Sequence, residues 1–363
     1  MSGNSIGHLV KLTSWGESHG TAIGGVLDGL PPNIPLDINK IQHALDLRRP
    51  GADKILTSPR NESDQIQILS GLFEGKTLGT PLSFIIQNTD HRSTDYDPYK
   101  NLYRPGHADY TYHKKYGHVD YRGGGRASAR ETAVRVAAGD IAKQILSHFL
   151  PDYTCRAAVT QVGDEKLTTP WDGKPYLANK LFCPHPHLIS KWTDYLTSIK
   201  EQGRSVGALI ELHAQGIPAG LGEPVYDKLD ADIAKALMSI NAAKAVEIGD
   251  GFSTVTANTG FDEMTAKNHF TSNRAGGILG GISSGQPIVC RAAFKPTSST
   301  QQPRQTIDKN GNNHTISITG RHDPCVGIRA VPIVEAMIHL TLLDHLLRWH
   351  GQCGGTNYAK ENS

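Results

Sequence analysis

The sequence lacks paired cysteines, long apolar runs and a signal-like N-terminus. Its five cysteines are far apart and form no CxxC pair, which argues against a disulfide framework or a zinc site. No stretch approaches the roughly 18 uninterrupted apolar residues of a membrane span, and the first residues do not have the order of a secretory signal. We therefore expect a cytoplasmic protein that holds no metal and contacts no membrane.

A strong net charge is also missing. The chain carries a net charge of +2 over 363 residues, of which 38% are hydrophobic and 20% charged. Nucleic-acid binding requires a strongly basic face, so no nucleic-acid partner is expected. The single Arg-Gly-Gly at 122–124, with tyrosines nearby, leaves an RNA-binding module as a weaker, non-enzyme alternative. The composition is that of an ordinary globular protein, and we predict one large domain over 1–363.

What the sequence does contain is a basic junction at 104–145. A polar loop with several histidines passes through three glycines at 123–125 and enters a segment with helical periodicity. Ser128 stands at the expected helix N-cap and Glu131 follows three positions later, which predicts a capping box. Arg126 and Arg130 are spaced to point at one anion. The junction therefore predicts an anion site, and its glycine spacing fits neither a dinucleotide fingerprint nor a P-loop.

Two other motifs invite a chemical interpretation. The segment 16–20, Gly-Glu-Ser-His-Gly, matches the Gly-x-Ser-x-Gly pattern of a hydrolase nucleophile elbow. Such an elbow lies between a strand and a helix, and residues 21–25 do not resemble a helix, so a turn between two strands is favoured. The segment 183–187, Cys-Pro-His-Pro-His, has one thiol and stiffening prolines, and a surface loop is expected there rather than a metal site.

Periodicity predicts alternating helices and strands. Helices are expected at 37–47, 128–150, 190–201, 230–240 and 332–347, and strands at 6–12, 66–70, 81–87, 206–213, 246–249, 288–294 and 315–319. Each half ends with an arginine-containing loop before a long helix, which hints at internal pseudo-duplication. The predicted fold class is α/β (α+β), a single large domain in which mixed or antiparallel sheets form a layered β-α-β sandwich.

Four stretches spread over nearly the whole chain resemble chorismate synthases. They are 16–29 (GESHGTAIGGVLDG), 104–110 (RPGHADY), 125–141 (GRASARETAVRVAAGDI) and 321–337 (RHDPCVGIRAVPIVEAM). That family makes chorismate from 5-enolpyruvylshikimate 3-phosphate by a 1,4-anti elimination of phosphate, and it uses reduced FMN without net redox change. The resemblance implies a lyase of the shikimate pathway, in aromatic amino-acid biosynthesis. An FMN-dependent oxidoreductase is the alternative from another enzyme class.

The resemblance also implies roles for individual residues. It makes His19 the general acid that protonates the departing phosphate, His107 the residue that stabilises reduced flavin, and Asp323 the acidic residue near the flavin. The implied FMN contacts are Arg126, Ala127, Ser128, Asn241, Ala242, Gly280, Lys295, Pro296, Thr297, Ser298, Ser299 and Arg321. The implied substrate contacts are Arg48, Arg104, Ser128, Ala129, Arg130 and Arg321. Arginine suits a substrate that carries a phosphate and two carboxylates, because its fork bonds both kinds of anion.

Two departures and three wider expectations complete the comparison with the family. Ala127 stands where many bacterial relatives have serine, which removes a hydroxyl. NADPH is implied as the direct or indirect reductant, with Arg48 and Lys54 associated with it. Lys54 stands where arginine is common, and lysine lacks the bidentate fork. The resemblance implies a homotetramer. It leaves open whether the enzyme reduces its own flavin or depends on a separate flavin reductase.

Overall fold

Two five-stranded sheets enclose a layer of helices. The computed structural model describes residues 3–49, 62–89, 93–256, 261–266, 269–318 and 323–354. Within these ranges the helices are α1 Ile38–Arg48, α2 Asp109–Tyr116, α3 Thr132–Phe149, α4 Ile189–Glu201, α5 Leu229–Met238 and α6 Val331–Cys353. Helix α3 packs on the first sheet, α6 packs on the second, and the two helices pack against each other.

The strands fall into two groups along the chain. The first group is β1 Ser5–Ile6, β2 Lys11–Trp15, β3 Ala22–Asp28, β4 Ile66–Ile68, β5 Leu72–Phe73, β6 Lys76–Thr77 and β7 Leu82–Gln87. The second is β8 Thr154–Val162, β9 Glu165–Lys166, β10 Ala208–Gln215, β11 Ala243–Ile248, β12 Met264–Thr265, β13 His269–Phe270, β14 Ile278–Leu279, β15 Ile282–Ser283, β16 Ile288–Phe294, β17 Arg304–Ile307 and β18 Asn313–Ile316. Most predicted elements are confirmed, with ends shifted by a few residues.

The two large sheets are antiparallel throughout their described strand pairs. Their orders are β1-β2-β3-β7-β4 and β11-β16-β10-β8-β9, and each neighbouring pair runs antiparallel. The predicted layered sandwich is confirmed in its antiparallel form. An antiparallel sheet can cover the helices with one face and meet water with the other, and strand β10 alternates buried and half-buried residues accordingly.

The strand predicted at 6–12 was wrong. Only its first residue, Ile6, and its last two lie in strands, and the segment between them turns around a buried carboxylate. Asp344 of α6 accepts hydrogen bonds from the backbone N–H groups of Leu9 and Val10, each at 2.7 Å. A buried carboxylate needs such donors. The apolar run therefore folds around α6 and does not extend as a strand.

The contact between α3 and α6 depends on one glycine. A Cβ atom added to Gly139 would lie 2.3 Å from the Cβ of Ala336, so the two helix backbones approach closely there. The stripe predicted on α3 faces this core, and Val134, Ile141 and Ile145 are fully buried. The stretch Ile328–Cys353, which includes α6, is long and apolar enough to cross a membrane, but 89% of the apolar 18-residue window within it is buried inside the protein. A core helix of a soluble protein passes the same test.

The hint of pseudo-duplication gains support from the connections. In the first half the neighbouring strands β2 and β3 are followed by helix α1, the outer strand β4 and a small hairpin. Strand β7, which lies between β3 and β4 in the sheet, and the long helix α3 come next. In the second half β8 and β10 are followed by the same series, with α5, β11, β16 and α6 in the matching places. The small hairpins also correspond, as β5-β6 and β14-β15. The two halves thus share one order of connections.

Candidate active site

Ser128 caps the chain before α3, but the predicted capping box was wrong. Ser128 is extended, and its Oγ accepts from the backbone N–H of Arg130 at 3.3 Å. It begins a short 3-10 turn, Ala129–Glu131, that precedes α3. The carboxylate of Glu131 pairs with Arg135, one helical turn further on, at 2.8 Å. Glu131 therefore finds a cation on its own helix, and Ser128 alone does the capping.

Arg126 and Arg130 do not point at one anion, so that prediction was also wrong. Arg126 Nη2 donates to Ser14 Oγ at 2.7 Å, whereas Arg130 Nε donates to Asn88 Oδ1 at 2.8 Å. The reason lies in the backbone between them. Extended Ser128 separates two 3-10 turns, so the four-residue spacing of a continuous helix does not apply.

Arg48 and Arg130 converge on Asp64, and we call the two arginines the buried arginine pair. Arg48 Nη2 donates to Asp64 Oδ2, and Arg130 Nη1 donates to Asp64 Oδ1. The side chains are almost fully enclosed, with Arg48 1%, Arg130 6% and Asp64 0% exposed. Burial alone would raise the pKa of Asp64, but the charges of the two arginines outweigh it and hold that pKa below its ordinary value. The structure therefore brings Arg48 and Arg130, two predicted substrate contacts, together beneath the surface.

The turn at 16–20 carries His19 and packs against the glycines at 123–125. His19 is 4% exposed, and its Nδ1 lies 3.0 Å from Ser18 Oγ. Gly123 has a φ of +62°, and a Cβ atom there would lie 2.0 Å from the His19 ring. Only glycine fits at this contact. The turn joins β2 to β3, two strands, so the strand-to-helix context of a hydrolase elbow is absent and the predicted turn is confirmed.

Asn88 and Tyr96 tie this turn to the arginines. Asn88 Nδ2 donates to the carbonyls of Glu17 and Gly20 at 3.0 and 2.8 Å, and its Oδ1 accepts from Arg130 as described above. The Tyr96 ring lies edge-on to His19, with centroids 5.0 Å apart, and the guanidinium carbon of Arg104 is 5.5 Å from the Tyr96 centroid. Tyr96 therefore links His19 to Arg104, and Asn88 links the turn that carries His19 to Arg130.

His107 lies in a turn that also carries Arg104. Its Nδ1 is 3.1 Å from the carbonyl of Pro105, and its Nε2 is 2.8 Å from Ser299 Oγ. A carbonyl only accepts, so Nδ1 carries the proton and Nε2 accepts from the serine hydroxyl. Burial, followed by the charge of Arg104, lowers the pKa of His107 to about 4. His107 is thus a neutral imidazole near pH 7.

The loops predicted to hold flavin are joined by hydrogen bonds. Asn241 Nδ2 donates to the carbonyl of Ala127 at 2.9 Å, and Lys295 N donates to the carbonyl of Ala242 at 2.9 Å. The loop 295–299 also reaches the turn that carries His107. Lys295 Nζ and Ser298 Oγ both donate to the Gly106 carbonyl, at 2.7 and 2.9 Å.

Asp323 also joins this group. Thr297 Oγ1 donates to its backbone carbonyl at 2.9 Å, and Arg329 Nε donates to its carboxylate at 2.6 Å. The structure therefore brings Asp323 next to the predicted flavin loop. The arginine that orients it, Arg329, was not among the predicted site residues.

Within the described ranges Gly280 is the predicted flavin contact that stands apart from the other loops. Gly280 lies at the turn of the hairpin β14-β15, and the hydrogen bonds that anchor this hairpin go to Leu221 and Leu229. In the described ranges no hydrogen bond links that hairpin to the other predicted flavin residues. Arg321 and Lys54 lie outside the described residues. The nucleotide association of Lys54 and Arg48 stays a prediction.

A cavity of about 660 Å³ opens beside Arg104. Arg104 and Arg126 line it together with aromatic rings that include Trp15, Tyr103 and Tyr112. Its volume lies in the usual range for small-molecule sites. A second cavity of about 600 Å³ lies among α1, α3 and α6, and no predicted site residue lines it.

Several side chains that hold the site together were missed from the sequence. Asp109 lies inside the quoted motif at 104–110, so a signal for it existed. Asp64, Asn88 and Tyr96 belong to polar segments without a recognisable pattern. Their contacts join residues far apart in the chain, and only the folded structure reveals them.

The fold and site together define a class: a layered antiparallel α/β protein with a cavity of small-molecule size lined by arginines and aromatic rings. The model of the family described as chorismate synthase matches residues 10–347. A chorismate synthase of Granulibacter bethesdensis is 55% identical over 364 residues, which cover 98% of this chain and 99% of that protein. One of Paramagnetospirillum magneticum is 54% identical over 355 residues, covering 96% and 98%.

A solved structure leads to the same family. A crystal structure of chorismate synthase superposes with a TM-score of 0.74 at 30% identity, covering 98% of this chain and 96% of that one. The chain belongs to the chorismate synthase family. Membership makes it an enzyme, a lyase of aromatic biosynthesis that acts on a small-molecule substrate.

Proposed function

We propose that this chain converts 5-enolpyruvylshikimate 3-phosphate into chorismate by 1,4-anti elimination of phosphate, with reduced FMN bound and no net redox change. The observation that carries the proposal is the convergence of the family motifs. Ser18 of the first stretch donates its N–H to the Gly125 carbonyl of the third at 3.4 Å. His107 of the second stretch meets Ser299, whose loop bonds to Asp323 of the fourth.

Substrate binding rests on the arginines. The substrate carries a phosphate and two carboxylates, and charge-assisted hydrogen bonds from guanidinium groups suit all three. Arg104 lines the cavity and is placed to contact an anion directly. The buried arginine pair lies deeper, where Asp64 and Glu62 already pair with it, and we place it in the substrate site by family resemblance. We place Arg321, Ser128 and Ala129 in the same substrate site by family resemblance.

His19 is the proposed general acid. As the acid it takes the imidazolium form: Nδ1–H is held by Ser18 Oγ at 3.0 Å, and the Nε2 proton would be given to the departing phosphate, which leaves a neutral imidazole. Packing against Gly123 keeps the ring in one orientation. A fixed donor lowers the cost of proton transfer because no rearrangement is needed at the moment of reaction.

The residues present fit a flavin. Asn241 Oδ1 is buried and has no hydrogen-bond partner within the described ranges, so a ring N–H of the flavin would satisfy it. Lys295 and the hydroxyl groups at 297–299 supply a cation and donors. Bound reduced FMN would supply an electron-rich centre for the elimination. His107, held by Ser299, contributes a fixed neutral imidazole beside it.

The remaining parts of the proposal follow from the family. We place the enzyme in the cytoplasm as a homotetramer, with NADPH as the direct or indirect source of electrons for the flavin. Whether a separate flavin reductase is needed is decided by adding NADPH and FMN to the purified protein alone. Flavin reduction without a second protein would show intrinsic reductase activity.

Anaerobic incubation with chemically reduced FMN and the proposed substrate tests the function. Release of phosphate and chorismate, with the flavin still reduced at the end, is the expected result. Oxidation of one flavin for each substrate consumed would favour the FMN-dependent oxidoreductase instead. No release of phosphate would contradict the proposal.

A further inference from the structure

Asp109 makes three hydrogen bonds to a single residue, Arg104. Oδ2 accepts from the backbone N–H at 3.0 Å and from Nε at 2.8 Å, and Oδ1 accepts from Nη2 at 2.8 Å. This fork-to-fork contact fixes both the position and the plane of the guanidinium. The side chain of Arg104 is 6% exposed and that of Asp109 21%, so the pair is partly shielded from water.

The contact decides which face of Arg104 meets the cavity. With Nε and one N–H of Nη2 held by Asp109, the donors that remain lie on the far side of the guanidinium. Tyr96 packs over the guanidinium carbon at 5.5 Å from its ring centroid, and a Cβ atom added to Gly124 would be 3.9 Å from Nη2. Gly124 and Arg104 both line the cavity. The remaining donors are therefore directed at a ligand.

The same carboxylate closes the turn that carries His107. The backbone N–H of His107 donates to the Arg104 carbonyl at 3.2 Å, and Asp109, the first residue of α2, folds back onto Arg104. Residues 104–109 thus form a turn closed twice, once by the backbone and once by the side chain. From this turn His107 reaches Ser299 across the site.

We propose that Asp109 is a positioning residue of this enzyme: it holds Arg104 against the cavity in the orientation that binds the substrate anion, and it closes the turn that presents His107. This inference rests on the proposed function, because it takes the anion to be that of the proposed substrate. Asp109 also lines the cavity, but both of its carboxylate oxygens are bonded to Arg104, so it acts on a bound anion through Arg104.

The test compares Asp109→Asn with the wild type in the anaerobic assay and in equilibrium binding of the substrate by calorimetry. Asparagine keeps the size of the side chain but offers one acceptor oxygen, so the fork is lost. We expect KM and the dissociation constant to rise about 10- to 100-fold, with a smaller change in kcat. Asp250→Asn is the matched control, because Asp250 pairs with Arg274 at 3.3 Å at the end of β11 remote from Asn241. It should leave both constants unchanged.

A double-mutant cycle separates positioning from a general structural role. In the Arg104→Ala background, Asp109→Asn should change KM by less than about twofold, because the guanidinium that it orients is gone. Arg104→Lys, which keeps the charge but loses the fork, should raise KM as Asp109→Asn does and serves if that variant folds poorly. Wild-type KM in Asp109→Asn, or a full additional loss in the double variant, overturns the inference alone. A wild-type protein that neither binds nor converts the substrate overturns the proposed function, and the inference with it.

Discussion

The buried arginine pair and the Arg104–Asp109 contact use the same chemistry in opposite surroundings. Asp64 joins two arginines from separate elements and is 0% exposed, whereas Asp109 holds an arginine five residues away at the rim of a cavity. Removing one partner of a buried ion pair leaves an uncompensated charge in a medium that solvates it poorly. In the second pair Arg104 is as buried as Arg130, but Asp109 is 21% exposed, so water screens this pair more than the first. The contact at Asp64 should therefore govern the stability of the fold, and the Arg104–Asp109 contact should govern the affinity for the substrate.

Asp64→Ala should produce the largest effect, a fall in the free energy of unfolding. The variant leaves the buried Arg48 without its carboxylate and Arg130 with only Glu62, 3.9 Å away, and the free energy of unfolding should fall by about 3–5 kcal/mol. Urea denaturation followed by circular dichroism measures it. Asp109→Asn should lose less than about 1 kcal/mol in the same experiment. Equal losses in the two variants would contradict the distinction drawn here.

The two site histidines, His19 and His107, should affect turnover. His19→Ala and His107→Ala should each lower turnover by about 10- to 1000-fold, the range expected for lost acid-base or electrostatic assistance. Steady-state assays with reduced FMN measure the loss. His43→Ala, an exposed histidine on α1, is the control and should keep wild-type turnover. Full activity in either site variant would remove that histidine from the mechanism.

Gly123→Ala tests whether His19 depends on the fit of its neighbour. The new Cβ atom would meet the ring at 2.0 Å, so the ring must move, and turnover should fall about 10- to 100-fold. Gly75→Ala is matched in backbone, with a φ of +74° and nothing within 4 Å of the added atom. Both variants share the strain of a left-handed residue, about 1–2 kcal/mol, but only Gly123→Ala should lose activity. A similar loss in both would assign the effect to strain.

The smallest predicted effect is a change in the pKa of His107 when Arg104 loses its charge. His107 has a pKa of about 4 in the folded protein, lowered by burial and then by Arg104. In Arg104→Gln the pKa should rise but stay below the ordinary 6.5, because burial is the larger cause. Titration of the ring resonances by NMR measures it, with Arg274→Gln as the control. An unchanged pKa would show that Arg104 does not act on His107.

The same shift has a consequence for stability. Between the ordinary pKa of 6.5 and the folded value of about 4, the unfolded chain binds a proton that folded His107 refuses. The free energy of unfolding therefore falls as the pH drops through this interval. The fall should be smaller in Arg104→Gln than in the wild type, as denaturation at several pH values would show.

Local patterns predicted the elements well where the pattern itself decides the structure. The stripe on α3 placed its core residues, Asp37 was identified as the cap of α1, and the strand 288–294 was predicted with its observed bounds. Predictions failed where a distant group intervenes. Asp344 of α6 holds the N–H groups of Leu9 and Val10 away from a strand, and Arg135 draws Glu131 away from Ser128.

The sequence by itself determined the family, the likeness of the two halves and the residue types that a polyanionic substrate needs. These follow from motifs and periodicities carried by neighbouring residues. The tertiary structure alone decided that Asp64 joins Arg48 to Arg130, and that Arg126 turns away from them. Such contacts depend on where separate elements meet. Burial then makes each unpaired charge so costly that few arrangements of those side chains remain.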